Sequence, residues 1–206
     1  MGSQAPAWLR LTSGGAAPDG DEGDAPAPRT APRVLFVCTG NICRSAFAAA
    51  SLRHLLGPGS PVEVSSAGIM ALAGHPMDGL MAAEARRLGI EDTSHTARQL
   101  TGRHLKEAAL VLVFGPEHAE WITSNHPEHL GKVAGLGQVA SALDAAPRHA
   151  LLPLSDLPGL AGGHRAPGDR DWIPDPYRRG PEAAQAAAER IAACTALLAV
   201  RADWTR

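Results

Sequence analysis

The chain has 206 residues, 45% of them hydrophobic, and a formal charge of −2. That suits one globular domain with an ordinary core and gives no electrostatic basis for nucleic acid or an anionic membrane as main partner. Three cysteines, Cys38, Cys43 and Cys194, are too few and too odd for a disulfide framework. No C-x2-C pair offers zinc ligands, so a reducing compartment and a thiol kept for chemistry are expected.

Residues 1–32 are rich in Gly, Ala, Pro and Asp. Such a segment cannot bury enough apolar surface to offset its ordering entropy, so a disordered tail is expected ahead of a folded domain at 33–206. The tail has no apolar signal core, and no run of the chain approaches ~18 apolar residues; a soluble, cytoplasmic protein with no membrane partner is expected. "RVLFVC" from Arg33 is a short continuous apolar run, as in a strand buried on both faces. "SAFAAASLRHLLG" has helical spacing and a stop at Gly57. "PVEVSSAG" reads as a second strand, and "MDGLMAAEARRLG" as a second helix ended by Gly89. "TARQLTGRHLKEA" reads as a turn and a helix. "ALVLVFG" is the plainest buried strand, and Pro116 opens the helix after it. "GKVAGLG" offers a fourth strand and "QVASALDA" a short helix. From Leu151 to Gly180 the many Pro and Gly residues predict a loop. Pro181 then starts a long Ala-rich helix. Strands alternating with helices predict a parallel sheet covered on both faces. Right-handed crossovers bring the strand carboxyl ends to one edge, where ligands bind. Cys38 is at that edge.

The segment "VLFVCTGNICRS" at 34–45 joins a strand to a helix start through a compact loop. Backbone N–H groups of residues 39–45 in such a loop can converge on one anion, and the helix adds its positive dipole end. Gly40 relieves crowding, and Asn41 tolerates a left-handed backbone. Arg44 offers planar, bidentate donors to phosphate oxygens. The same positive field favours a thiolate on Cys38, and Ser45 is placed to donate to that sulfur. The pattern predicts attack of sulfur on tetrahedral phosphorus. An acid must then protonate the leaving oxygen from outside the loop. Asp175, bracketed by Pro174 and Pro176, is the candidate, with Asp169 and Asp171 in reserve.

"VLFVCTGNICRS" resembles the phosphate-binding loop of the low-molecular-weight protein tyrosine phosphatases. "SSAG" at 65–68, "SHTARQLT" at 94–101 and "PDPYRRG" at 174–180 agree in order, so the resemblance runs from about Arg33 to Trp204. It implies a three-layer α/β/α fold with a four-stranded parallel sheet, flavodoxin-like, in the order 2-1-3-4. It implies a metal-independent phosphatase without cofactor that acts on tyrosine-phosphorylated proteins or peptides through a phosphocysteine. Phosphate and other oxyanions are then inhibitors. Cys38, Arg44 and Asp175 are the implied catalytic residues. Thr39, Gly40, Asn41, Ile42, Cys43, Arg44 and Ser45 are the implied phosphate loop, and Asn41, Ser45, Ser66 and His95 a polar network beneath it. Cys43 matches a position where some members form a reversible disulfide with the nucleophile. Tyr177, with Met70 or Leu72 where many members carry an aromatic residue, is expected to wall the mouth. Cys194 is expected in the core, and His118 on the surface or as a cap. Two other functions remain open: arsenate reduction through a small-thiol mixed disulfide, and a catalytically weak phosphoprotein-binding module.

Overall fold

The computed structural model of the protein describes residues 31–164 and 168–205. The tail expected at 1–32 lies, but for Ala31 and Pro32, outside the described residues. Strands β1 (Arg33–Cys38), β2 (Glu63–Gly68), β3 (Leu110–Val113) and β4 (Val133–Gly135) form one parallel sheet in the order β2-β1-β3-β4. This is the expected flavodoxin-like arrangement. In register, Cys38 pairs with Gly68, and Phe36 with both Ser66 and Leu112.

The two-residue period of the strands divides their side chains between two cores. Val34, Phe36, Leu110, Leu112 and Phe114 face one way, toward Phe47, Met81, Leu143 and Ile191. Leu35, Val37, Val111 and Val113 face the other, toward Leu105 and Ile122. The first layer therefore contains α1 (Arg44–Leu56), α2 (Gly79–Arg87), α5 (Leu136–Ala145) and α7 (Pro181–Arg201). The second contains α3 (Gly102–Glu107) and α4 (Pro116–Asn125). Burying a side chain such as Phe36 completely is worth about 2–3 kcal/mol.

Helix α7 is packed through small residues. Ala184, Ala187, Ala188, Ile191, Cys194, Thr195 and Leu198 are its buried face, so Cys194 is core as expected. The Thr195 hydroxyl donates to the Ile191 carbonyl at 3.0 Å, which leaves its oxygen to accept from Ser51 of α1 at 2.8 Å. By length and composition alone this 21-residue helix is long and apolar enough to cross a membrane. The sequence expectation concerns unbroken apolar runs, and this helix contains none that long, since Glu189 and Arg190 interrupt it. Alternating small and apolar residues reach that level without forming an unbroken apolar run, and their packing against α1 and α5 marks a core helix.

The segment after Leu151 is also more ordered than its Pro and Gly content predicts. It contains β5 (Leu152–Pro153), α6 (Leu157–His164) and a 3-10 turn at Asp169–Asp171. Pro158 falls in the first turn of α6, where no N–H is needed. Burial of Leu157 and Ala161 then offsets the glycines. β5 pairs in parallel with β6 (Ala202–Asp203).

Candidate active site

The loop between β1 and α1 is built by what its carbonyls do. Cys38, Thr39 and Gly40 carbonyls accept from the amides of Ile69, Met70 and Leu72, each at 3.0 Å. The Asn41 carbonyl accepts from His95 Nε2 at 2.5 Å. Ile42 and Cys43 carbonyls accept from the amides of Asp78 and Phe47, each at 2.9 Å. Every carbonyl from 38 to 43 is thus turned outward, onto the surrounding scaffold. The peptide bonds of this loop are all trans, and a trans peptide holds its C=O and the next N–H on opposite sides. The N–H groups of residues 39–44 therefore face inward. No protein acceptor meets them among the described residues. The outcome is the ring of donors that the sequence predicts.

Two backbone features permit this curl. Asn41 sits at φ 55, in the left-handed region that Asn tolerates better than most residues. Gly68, opposite Cys38, has no room for a side chain. A Cβ there would stand 2.5 Å from the Thr39 carbonyl oxygen and 3.0 Å from the Asn41 nitrogen. Gln99 then pins the neighbouring segment. Its Oε1 accepts from the Ala71 amide at 3.0 Å and its Nε2 donates to the Ile69 carbonyl at 2.8 Å, which brackets Met70.

Beneath the loop a directional network ends on sulfur. Asn41 Oδ1 accepts from the Arg98 amide at 2.9 Å, which fixes its Nδ2 as the donor. That Nδ2 gives to Ser66 Oγ at 2.9 Å and to Ser45 Oγ at 2.8 Å. The Ser45 oxygen is then occupied as an acceptor, so its own proton points to Cys38 Sγ, 2.9 Å away. Asn41, Ser45 and Ser66 are buried. Burial, with Arg53 and Arg98 nearby, holds the His95 imidazole below its ordinary range. A neutral ring that donates through Nε2 results. Asn41, Ser45, Ser66 and His95 are thus brought together as expected. Arg98 was missed. It serves by its backbone amide and by an Nε bond to the Ser66 carbonyl at 2.8 Å, and no sequence motif advertises either.

Arg44, 3% exposed, opens α1 and reaches across the mouth. Its NH2 donates to Asp175 Oδ2 at 2.8 Å and its NH1 to the Ile173 carbonyl at 3.2 Å. Its Nε is buried and has no partner among the described residues. Asp175 Oδ1 accepts from the Tyr177 amide at 3.2 Å, so the Asp-Pro turn aims this carboxylate at the guanidinium. The reserve candidates are placed differently. Asp171 is buried, accepting from the Gly168 amide at 2.8 Å and from Ser141 at 3.3 Å. Asp169 lines a neighbouring cavity with Glu117 and Trp172.

Glu117 and His118, on the first turn of α4, also reach the loop. Glu117 Oε1 lies 3.8 Å from Arg44 NH1. His118 is fully buried. Its Nδ1 accepts from the Gly115 amide at 3.0 Å, so it caps α4, as one of its two expected roles had it. Its Nε2 stands 3.2 Å from Thr39 Oγ1 and 3.3 Å from Glu117 Oε1. Burial, reinforced by the Arg44 charge, pushes this imidazole down to about 4. At neutral pH Nε2 therefore carries the lone ring proton and is a donor. The surface alternative for His118 is corrected. A lone histidine outside any ligand pattern gives no sign that it props the loop.

A cavity of about 180 Å³ opens over the sulfur, lined by Cys38, Thr39, Gly40, Ile42, Cys43, Arg44, Met70, Leu72, Asp175 and Tyr177. The expected wall residues Met70, Leu72 and Tyr177 all contribute. The Tyr177 ring carries Arg178 above it, 5.1 Å from the centroid. Cys38 and Cys43 are both free thiols. Burial first, then Asp78 and Asp175, pushes the Cys43 thiol far above its ordinary range.

A protein-family model described as low molecular weight phosphotyrosine protein phosphatase matches residues 33–153. A relative from Ralstonia solanacearum, named a probable low molecular weight protein-tyrosine-phosphatase EpsP, is 44% identical over 106 residues. These make up 52% of this chain and 71% of that one. Among solved structures, the YwlE arginine phosphatase from Geobacillus stearothermophilus superimposes with a TM-score of 0.64 at 31% identity, over 82% of this chain and 90% of its own. Vibrio vulnificus Wzb in complex with benzylphosphonate gives a TM-score of 0.61 at 30% identity, over 82% and 97%.

Proposed function

Because the chain belongs to the low molecular weight phosphotyrosine protein phosphatase family, we propose that it hydrolyses phosphotyrosine in proteins through a phosphocysteine on Cys38, without a metal. The observation that carries this reading is the outward set of carbonyls at 38–43, which turns the amides of 39–44 onto one point above the sulfur. Three equatorial phosphoryl oxygens meet those donors. The buried Nε of Arg44 supplies a charge-assisted bond, and its NH2 exchanges Asp175 for an oxygen of the substrate.

The thiolate of Cys38 then attacks phosphorus from below. The P–O bond to the tyrosine breaks, and Asp175 gives its proton to the departing oxygen. In the second half a water attacks the same phosphorus. Asp175 takes a proton from that water, the P–S bond breaks, and the sulfur leaves as a thiolate stabilised by the Ser45 hydroxyl. Preorganised amides do most of the charge stabilisation, because they need no rearrangement when charge develops. Glu117 and Ile173 hold the NH1 edge of Arg44, so the guanidinium keeps its orientation as its other edge changes partner.

The apolar lining contributed by Ile42, Met70, Leu72 and Tyr177 suits a flat ring. A phosphoarginine would bring a guanidinium into the same space. Its N–H groups would find Asp175 as the one carboxylate of the lining, so an aryl phosphate is the better match. The test is a rate comparison, in excess chelator, across peptides bearing phosphotyrosine, phosphoarginine or phosphoserine. Phosphotyrosine should be turned over fastest by at least about tenfold in kcat/KM. Faster release from phosphoarginine would overturn the substrate, and chelator-sensitive turnover the mechanism.

A further inference from the structure

A second cavity, of about 220 Å³, lies behind the loop, on the far side of the polar network from the sulfur. It is lined by Arg53, Val64, Ser65, Ser66, Asp92, Ser94, His95, Thr96 and Arg98. None of these residues lines the cavity over Cys38. We propose that this cavity is a separate binding site for a phosphate dianion, free or carried on a monoester.

The cavity holds donors that the protein leaves uncommitted. Arg53 makes a single long bond, NH1 to the Val64 carbonyl at 3.4 Å, and Arg98 makes a single side-chain bond, Nε to the Ser66 carbonyl at 2.8 Å. The remaining N–H groups of both guanidinium groups have no protein partner among the described residues. The lining carboxylate, Asp92, is engaged by the Ser94 amide at 3.0 Å and by the Ser94 hydroxyl. Arg53 makes no close ion pair among the described residues, although Asp92 acts on it at longer range, and burial, with Arg98 close by, pulls its guanidinium below its ordinary range. Two arginines facing one carboxylate leave an excess positive charge in a pocket rimmed by hydroxyls. A tetrahedral dianion meets that demand, since it accepts from planar guanidinium edges and from hydroxyls at once. Ser66 and His95 belong both to this lining and to the network under Cys38. The site therefore lies one side chain from the loop without sharing its amides.

The experiment is an amide NMR titration of the full-length protein with inorganic phosphate, repeated with phosphoserine. Signals of residues 39–45 report the active-site loop, and those of Ser94 and Thr96 report the second cavity. The proposal expects the second group to saturate with its own midpoint, distinct from that of the loop. Arg53→Gln should weaken that midpoint by about tenfold or more while leaving the loop midpoint in place. Should Arg53→Gln fail to fold, Thr96→Glu, an exposed position, places a carboxylate at the rim and should abolish the second response. Saturation by phosphate alone assigns the site to the free anion, and saturation by both ligands to the phosphate group of either. The proposal is overturned if the second group moves only in step with the loop, does not respond, or responds unchanged in the variants. Silence of the loop signals would count against the phosphatase reading and leave this site standing.

Discussion

Replacing Ser45 by alanine removes the hydroxyl that donates to the sulfur, and with it an acceptor for Asn41. Asn41 Nδ2 donates to Ser45 Oγ at 2.8 Å, so the Ser45 proton is committed to Cys38 Sγ at 2.9 Å. A hydrogen bond to a charged acceptor is worth about 1.5–3 kcal/mol. In the second half-reaction the sulfur leaves as a thiolate, so this stabilisation belongs to the transition state of phosphocysteine breakdown. Its loss should lower kcat by about 10- to 100-fold. Folding should be little affected, because Asn41 keeps Ser66 and Arg98, and the missing hydroxyl leaves only a small void. Stopped-flow release of p-nitrophenol from its phosphate is the assay. Ser45→Ala should show a clear burst of phenolate followed by a slow steady state. A kcat within about twofold of wild type, with no change in the burst, would falsify the claim that this hydroxyl serves the sulfur.

Asp175→Asn should reduce kcat by about 10²- to 10⁴-fold on phenyl phosphate, with a smaller effect on p-nitrophenyl phosphate, whose leaving group needs less protonation. Equal losses on both esters would remove Asp175 as the acid. His118 is held down to about 4 from its ordinary 6.5. Between those values the unfolded chain binds a proton that the native one refuses. Its contribution is therefore intact above pH 6.5 and falls as pH drops toward 4, by about 1.4 kcal/mol per unit. In urea titrations at pH 7 and pH 4.5, His118→Gln should shrink the stability difference by about 2–3 kcal/mol; an unchanged difference would contradict its burial as a neutral ring. Gly68→Ala forces a Cβ to within 2.5 Å of the Thr39 carbonyl oxygen. It should cost about 1–3 kcal/mol of stability and weaken phosphate inhibition, and an enzyme that tolerates it unchanged would show that the loop does not need this close approach.

The parts of this molecule legible in its sequence are those where one physical demand dominates. "RVLFVC" and "ALVLVFG" are buried on both faces, so continuous apolar runs announced β1 and β3. The loop was legible because an anion ring needs a nucleophile, a left-handed position and an arginine at fixed spacing. Cys38, Asn41 and Arg44 meet those needs within a few residues of each other. Helix α6 was hidden because Pro158, Gly159, Gly162 and Gly163 disfavour helix locally, and only the tertiary burial of Leu157 and Ala161 reverses that preference. His118 and Glu117 were hidden for a different reason. Their roles depend on where α4 sets down beside the loop, a long-range juxtaposition with no local signature. Arg98 contributes a backbone amide, which every residue but proline owns, so its identity could not mark its part.

The most direct test of the account is to quench the enzyme with acid while it turns over p-nitrophenyl phosphate and to map the protein by mass spectrometry. The account predicts one phosphoryl group, on Cys38, and none on any other residue. A protein without an adduct on Cys38, together with turnover that survives Cys38→Ser, would contradict it.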